Sequence, residues 1–276
     1  MKKKLVSVVM SAYNEEGKWF IKSIESIINQ TYKYLEIIII IDNPNRKDLI
    51  DIAYKYKSID SRIKVIINKI NKGLVYCLNK GIKISKGELI ARMDADDISN
   101  SRRIEKQVKY LNENKECILV GTQMILINEN DEFIERNNKL PTKYNDIKKV
   151  LKYTNVICHP SIMFIKDFVI GIGVYREIKY AEDYDLITRI VINKGIVSNL
   201  EEELIYYRIR KNGITNSNSQ IQFNSEKYIK KNYKKGKIPK IDEQYCCNKK
   251  INFIDKINKK IDIIKYKIFM KKFKYI

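Results

Sequence analysis

The chain has 276 residues and is 44% hydrophobic, enough to bury one large core and too apolar for a disordered polymer. Its formal charge of +21 raises nucleic-acid binding as a class. The chain is, however, rich in Lys, Ile, Asn and Tyr, the residues of A/T-rich codons, and 17 Lys against 5 acids fall between Glu226 and Ile276. The basicity therefore has a compositional cause and sits in a tail, and no nucleic-acid partner is expected.

In chain order, Leu5 to Met10 reads as a strand. Trp19 to Asn29 carries Ile21, Ile24, Ile27 and Ile28 at helical spacing. Glu36 to Ile41 reads as a strand buried on both faces, as a parallel sheet requires. Lys47 to Lys57 reads as a helix, Ile63 to Ile67 as a strand, Leu74 to Ile84 as a helix and Leu89 to Met93 as a strand after a turn at Gly87. This alternation predicts a doubly wound α/β sheet with right-handed crossovers. Ile104, Val108 and Leu111 mark a further helix. Ile118 to Val120 and Met124 to Ile127 read as two strands, and Asn145 to Lys152 as a short helix. Asp183 to Asn193 reads as a helix closed by Gly195 at C′, and Leu204 to Arg208 as the last strand. Asn212 to Asn218 is a loop.

Ligands of such sheets bind beyond the carboxyl ends of the strands. The residues at those ends are all polar: Ser11, Tyr13 and Asn14; Asp42 and Asn43; Asn68 and Asn71; Asp94, Asp96 and Asp97. The sharpest feature is Arg92-Met93-Asp94-Ala95-Asp96-Asp97. Three carboxylates within four residues repel one another unless a cation joins them. On an extended backbone Asp94 and Asp96 would project to one side, and hard oxygen ligands suit Mg²⁺ or Mn²⁺. An acidic turn capping the next helix is the competing reading. Ala181-Glu182-Asp183-Tyr184-Asp185 opens a helix, where acids are ordinary, although one could deprotonate a hydroxyl. His159, the one histidine, beside Pro160, reads as structural or acceptor-side. Gly171-Ile172-Gly173 lacks the third glycine and the strand–helix context of a dinucleotide fingerprint. Cys77, Cys117, Cys158, Cys246 and Cys247 lack metal spacing and read as reduced thiols.

Several segments in order resemble family 2 inverting glycosyltransferases of GT-A fold: Val8 to Glu15, Gln30-Thr31-Tyr32, Glu36 to Asp42, Asn71 to Leu74, Asp94 to Asp97, Arg103 to Gln107, His159-Pro160-Ser161 and Glu182 to Leu186. The resemblance covers about residues 5 to 215. It implies a Rossmann-like, nucleotide-diphospho-sugar transferase fold, with a mixed sheet flanked by helices. It also implies an enzyme of polysaccharide biosynthesis that moves a sugar from a nucleotide-sugar donor, UDP favoured, to a hydroxyl of a glycan or lipid-linked acceptor. By the same resemblance Ala12, Tyr13, Glu15, Asp42 and Asn71 hold the nucleoside, and Asp94 contacts ribose or donor sugar. Asp96 is the principal ligand of Mn²⁺ or Mg²⁺, and Asp183 is the general base. Two positions depart from the family pattern. Asn43-Pro44-Asn45 follows Asp42 where a second acid is usual. Arg210 stands where members often carry a His; it cannot ligate metal but can pair with a donor phosphate.

Competing classes are a nucleotidyltransferase, disfavoured by the acidic rather than Gly-rich turn after the first strand, and a non-catalytic scaffold or nucleic-acid binder. Residues 1–215 are expected to form the catalytic domain and 216–276 a loop and a basic helical extension. In that extension Ile254, Ile257, Ile261, Ile264 and Ile268 recur at helical spacing with lysines largely off the stripe. Such a helix could lie on an anionic membrane. It could equally pack on the catalytic domain or on a second subunit of a homodimer. No apolar run reaches a membrane span, and the run after the basic start ends at Met10, too short for a signal peptide. A cytoplasmic protein is the expectation, peripheral at the inner face of a membrane on the first of these two readings of the helix.

Overall fold

The computed structural model describes residues 3–136, 139–210, 219–241 and 253–272. The Asn212 to Asn218 loop, Cys246, Cys247 and Ile251 lie outside the described residues, as do the side chains of Ile254 and Ile257.

Alternating βα units build the first half: β1 (Val6–Ala12), α1 (Gly17–Ile28), β2 (Leu35–Ile41), α2 (Lys47–Ile59), β3 (Ile63–Ile67), α3 (Leu74–Ile84) and β4 (Leu89–Asp94). These four strands are parallel, in the order β3-β2-β1-β4. In β2, Ile37, Ile39 and Ile41 join the main core, while Ile38 and Ile40 pack with Cys77 on the opposite face. A continuous isoleucine run thus serves both layers, as the sequence predicts for a parallel strand. Helix α3 sits so close to β1 that a Cβ on Gly81 would lie 2.4 Å from Val9 Cγ1.

The second half adds β5 (Ile98–Ser99), α4 (Arg103–Glu113), β6 (Cys117–Ile127), β7 (Phe133–Arg136), α5 (Tyr144–Val150), β8 (Met163–Ile165), α6 (Lys166–Gly171), α7 (Glu182–Ile192) and β9 (Ile196–Arg208). They extend the sheet through β8, β6, β9 and β5, with β7 paired to β6. Three expectations are corrected here. The two strands around Gly121 are one, β6, with register shifts near Gly121 and Gln123. The last strand begins at Ile196 rather than Leu204. Its polar start hides it: Ser198 and Asn199 are buried, and their side chains bond the carbonyls of Thr142, Pro141 and Val156. Lys194, at φ 65°, takes the left-handed C′ position after α7. Gly195 is one residue further, and its N–H bonds the Ile190 carbonyl at 2.9 Å.

Two C-terminal helices follow, α8 (Ser219–Lys234) and α9 (Phe253–Lys272). Ile229, Tyr233, Tyr266 and Phe269 pack with the main core. Ile261, Ile264 and Ile268 face outward instead, 40%, 55% and 62% exposed. The isoleucine stripe is therefore not the face that seats α9 on the domain.

Candidate functional site

The chain winds from β1 out to β3 and then returns to place β4 on the other side of β1. The winding therefore reverses between β1 and β4, and in such sheets the ligand crevice lies at the carboxyl ends of those strands. Ser11 and Asp94 are partners there.

Strand β4 ends at Asp94, and Ala95 and Asp96 form a turn, so Asp94 and Asp96 do not share the extended backbone expected of them. The turn lets each acid meet a different arginine. The Arg92 guanidinium binds Asp94 through both nitrogens, Nη1 at 2.6 Å from Oδ2. Arg210 Nε lies 2.8 Å from Asp96 Oδ2. Asp97 turns inward, where its Oδ1 accepts the Arg208 backbone N–H at 2.8 Å. Burial, with the neighbouring charge of Asp94, pushes the Asp96 carboxyl up to about 7, against the pull of Arg210. Burial and both neighbouring acids raise Asp97 as well. Glu15 Oε2 accepts the Tyr13 N–H at 2.6 Å. Its carboxyl is raised by burial, with Arg210 and Asp94 acting on it in opposite senses. Glu15, Asp94, Asp96 and Arg210 therefore form one cluster drawn from three parts of the chain.

This cluster suits a hard divalent cation. Its donors are carboxylate oxygens withdrawn from water, and burial together with the charge of Asp94 raises the Asp96 carboxyl, a penalty that a bound cation would relieve. Among the described residues no group of three or more His, Cys, Asp or Glu is arranged as a cage. Mg²⁺-type sites commonly use one or two carboxylates completed by substrate phosphates. Asp96 could supply one such ligand once Arg210 turns toward a phosphate.

The other expected donor residues line the same rim. Ala12 is buried at the end of β1, and its carbonyl accepts the Asp42 N–H at 2.7 Å. Tyr13 is exposed, as is Asn71, whose Oδ1 accepts the Gly73 N–H at 2.9 Å. Asp42 is buried, with both oxygens engaged: Asn68 Nδ2 donates at 2.7 Å, Lys72 N at 2.9 Å and Gly73 N at 2.7 Å. Asp42 thus shapes the loop that presents Asn71.

Asp183 lies at the start of α7. Asn155 Nδ2 donates to its Oδ2 at 2.8 Å and the Tyr184 N–H to its Oδ1 at 2.7 Å. Burial raises its pKa, and the Arg92 charge opposes the rise. Glu182 next to it is pushed up to about 7 by burial and by Asp183. Asp185 is different in kind: fully buried, it pairs with Arg176 and with Arg189 Nε at 2.8 Å. Unlike Asp185, Asp183 has no arginine ion-pair partner among the described residues. His159 Nε2 lies 2.9 Å from the Tyr175 hydroxyl, and burial holds the ring well below its usual pKa. Gly171 ends α6 and Gly173, at φ 90°, turns the chain after it, so that pair belongs to a helix end.

Three residues that matter here were not singled out by pattern. Arg92 is buried beneath the crevice, and its charge reaches Asp94, Asp97 and Asp183. Its position two residues before Asp94, on the same strand face, is the signal that could have found it. Arg208 Nε donates to the Asp96 carbonyl at 2.7 Å and Nη1 to the Asn128 carbonyl at 2.8 Å; Nη2 meets Asp131 at 2.5 Å. Its guanidinium also stands 5.3 Å over the Trp19 ring. Asn155 sits in a loop without periodicity, where sequence offers no signal.

A Rossmann-like half-sheet with carboxylates and arginines gathered at its switch point defines a nucleotide-binding α/β domain. Residues 7–171 match Glycosyl transferase family 2. The chain belongs to that family and is a glycosyltransferase. It is 39% identical over 210 residues to the O-antigen biosynthesis glycosyltransferase WbnJ of Escherichia coli, covering 74% of this chain and 80% of the relative. It is 34% identical over 205 residues to the amylovoran biosynthesis glycosyltransferase AmsE of Erwinia amylovora, covering 74% and 76%. Among solved structures, S. aureus TarS 1-349 in complex with UDP-GlcNAc aligns with a TM-score of 0.65 at 17% identity, over 81% of this chain and 65% of that one. The mannosyltransferase PcManGT of Pyrobaculum calidifontis, solved with GDP-Man and Mn²⁺, aligns with a TM-score of 0.64 at 14% identity, over 82% and 63%. These likenesses establish the GT-A fold, and the chain spans just under two thirds of each of those solved chains. The family match ends before Asp183, which therefore rests on its own geometry.

Proposed function

We propose that the protein is an inverting glycosyltransferase that passes a sugar from a nucleoside-diphosphate donor, UDP favoured, directly to a hydroxyl of a glycan or lipid-linked acceptor in polysaccharide biosynthesis. The observation that carries this reading is the common field of Arg92. Asp94 pairs directly with that one buried guanidinium, and Asp183, some ninety positions further along the chain, also feels its charge.

Tyr13, Asn71 and Glu15 would border the nucleoside, with Ala12 as its floor. Asp42 would act there by holding the Asn71 loop, and Asp94 would meet ribose or donor sugar. Asp96 would ligate Mn²⁺ or Mg²⁺, which when bound neutralises charge on the departing diphosphate. Arg210, released from Asp96, would pair with a phosphate oxygen. The acceptor hydroxyl would lose its proton to Asp183 Oδ as its oxygen attacks the anomeric carbon, inverting that centre. A raised pKa suits Asp183 to the task, because a more basic carboxylate accepts a proton more readily. Asn155 would hold its other lone pairs in place. A thermal-stability screen of nucleotide sugars with and without Mn²⁺ tests the reading. We expect metal-dependent stabilisation by a UDP-sugar, and a uniform lack of response would refute it.

Residues 1–215 would form the catalytic unit, and 216–276 an extension packed on it. No helix among the described residues is long and apolar enough to cross a membrane. The outward stripe Ile261, Ile264 and Ile268, flanked by exposed Lys260, Lys265, Lys267 and Lys271, suits an anionic membrane surface, each lysine adding about 1 kcal/mol at close range. Such docking would bring the enzyme to a lipid-linked acceptor. Replacing the three isoleucines by serine should abolish sedimentation with anionic liposomes at low salt. Undiminished sedimentation would remove the membrane role, and a wild-type dimer dissociated by the same changes would assign the stripe to a second copy.

A further inference from the structure

The chain between α6 and α7 is held in a conformation it would not keep alone. Gly173 lies at φ 90°, Val174 at φ 44° and Tyr180 at φ 59°. A β-branched side chain in the left-handed region is an outlier, and such backbone persists only where surrounding contacts over-determine it. Here they do. Arg189 Nη1 donates to the Ile172 carbonyl at 2.7 Å, and its Nη2 to the Val174 carbonyl. Asn79 of α3 brackets Tyr175, accepting its N–H at 3.0 Å and donating to its carbonyl at 2.9 Å. The Tyr175 hydroxyl meets His159. Arg176 Nε donates to Asp185 Oδ2 at 2.9 Å and its Nη2 to Oδ1, while Nη1 donates to the Pro239 carbonyl at 2.9 Å, beyond the end of α8.

The place of this segment gives those bonds a purpose. Tyr175 is buried and feels the charges of Arg92, Asp183, Glu182 and Asp94, so it stands in the field of the donor carboxylates and of the base at once. After Ala181 the segment runs directly into the first turn of α7, which carries Asp183. Asp185 is fully buried and would stay paired through Arg189 alone, so Arg176 is not needed to neutralise it. What Arg176 adds is a tie from α7, two residues past the base, to the chain beyond α8. We propose that Arg176 is a positioning residue for the base: it straps the strained 172–181 segment to α7 and to the C-terminal extension, and so fixes Asp183 relative to the donor carboxylates. A displacement of about 1 Å at a reacting group can cost about 10²-fold in rate. The proposal rests on the glycosyl-transfer reading, and it makes the extension part of the catalytic geometry.

Hydrogen exchange read by mass spectrometry on the full chain tests it, alongside UDP titration and hydrolysis of UDP-glucose and UDP-N-acetylglucosamine in Mn²⁺. In Arg176→Gln, amides of residues 172–185 should exchange tenfold or more faster than in the wild type, with the rest of the core within twofold. Hydrolysis should slow tenfold or more while UDP affinity stays within twofold, because Arg176 pairs with Asp185 and Pro239 rather than with the donor carboxylates. Arg176→Lys keeps the charge beside Asp185 without the fork and should recover part of both losses. Thermal melts identify a glutamine variant that fails to fold, and the lysine variant then decides, with losses of about threefold in the same two readouts. Exchange unchanged in the segment, or raised equally throughout the core, overturns the proposal, as does a fall in UDP affinity that matches the fall in rate. Exchange that rises only in the segment, in a protein that ignores UDP, would instead uphold the strap and sink the donor assignment.

Discussion

Replacing Arg208 by alanine should damage stability and donor binding together. The side chain is wholly buried and its guanidinium serves the Asp96 carbonyl, the Asn128 carbonyl and the Asp131 carboxylate. Each buried acceptor left without a donor costs about 1–3 kcal/mol, and breaking a buried ion pair by removing one partner costs about 3–5 kcal/mol. These losses overlap, because Asp131 is one-quarter exposed and keeps Lys22 as a partner; a net loss of about 4 kcal/mol is the working figure. At about 2 °C per kcal/mol for a chain of this size, the melting temperature should fall by about 8 °C. Circular dichroism melts measure it, and Arg208→Lys should recover only part, since an ammonium cannot reach three acceptors in the guanidinium's plane. Because the Asp96–Asp97 turn loses its anchor, UDP affinity should drop with stability. A melting point within 2 °C of wild type would refute the positioning role.

Asp183→Asn should lower transfer by about 10²-fold or more while leaving donor affinity intact, measured as product formation against UDP titration. EDTA should abolish transfer and Mn²⁺ or Mg²⁺ restore it; full activity in EDTA would mean that Arg210 and its neighbours neutralise the diphosphate unaided. As the proposed base, Asp183 must be ionised to work, and burial raises its pKa beside a Glu182 pushed up to about 7. The rate should therefore fall as pH drops, with the acid limb above the ordinary carboxylate range, and a flat profile down to pH 5 would contradict the burial of this pair.

The parallel half of the fold was legible because its signals are local. Strand β3 and helix α3 fall where Ile63–Ile67 and Leu74–Ile84 predict them, through a short, mostly apolar β-branched run and helical spacing. The second half hid its elements in side-chain bonds. Strand β9 starts on Ser198 and Asn199, whose polarity masks a buried strand until their carbonyl partners are seen. The short β8 and α6 carry too few residues for a period to show. In the site, position on strand ends singled out Asp94, Asp96 and Asn71, and a motif singled out Asp183. Arg92, Arg208 and Asn155 act through contacts far away in sequence, and no spacing announces them. The turn at Ala95–Asp96 also redirected a carboxylate that strand geometry alone would have aimed elsewhere.

On the proposed mechanism the Asp96 turn and Arg210 hold a donor diphosphate with its cation, while Asp183 stands apart as the base. Isothermal titration of UDP into the full chain, with Mn²⁺ and with EDTA, addresses both halves when repeated on Asp96→Ala and Asp183→Asn. Binding should depend on Mn²⁺ in the wild type and in Asp183→Asn, and Asp96→Ala should lose at least tenfold in affinity. UDP binding that is indifferent to both Mn²⁺ and Asp96 would contradict it.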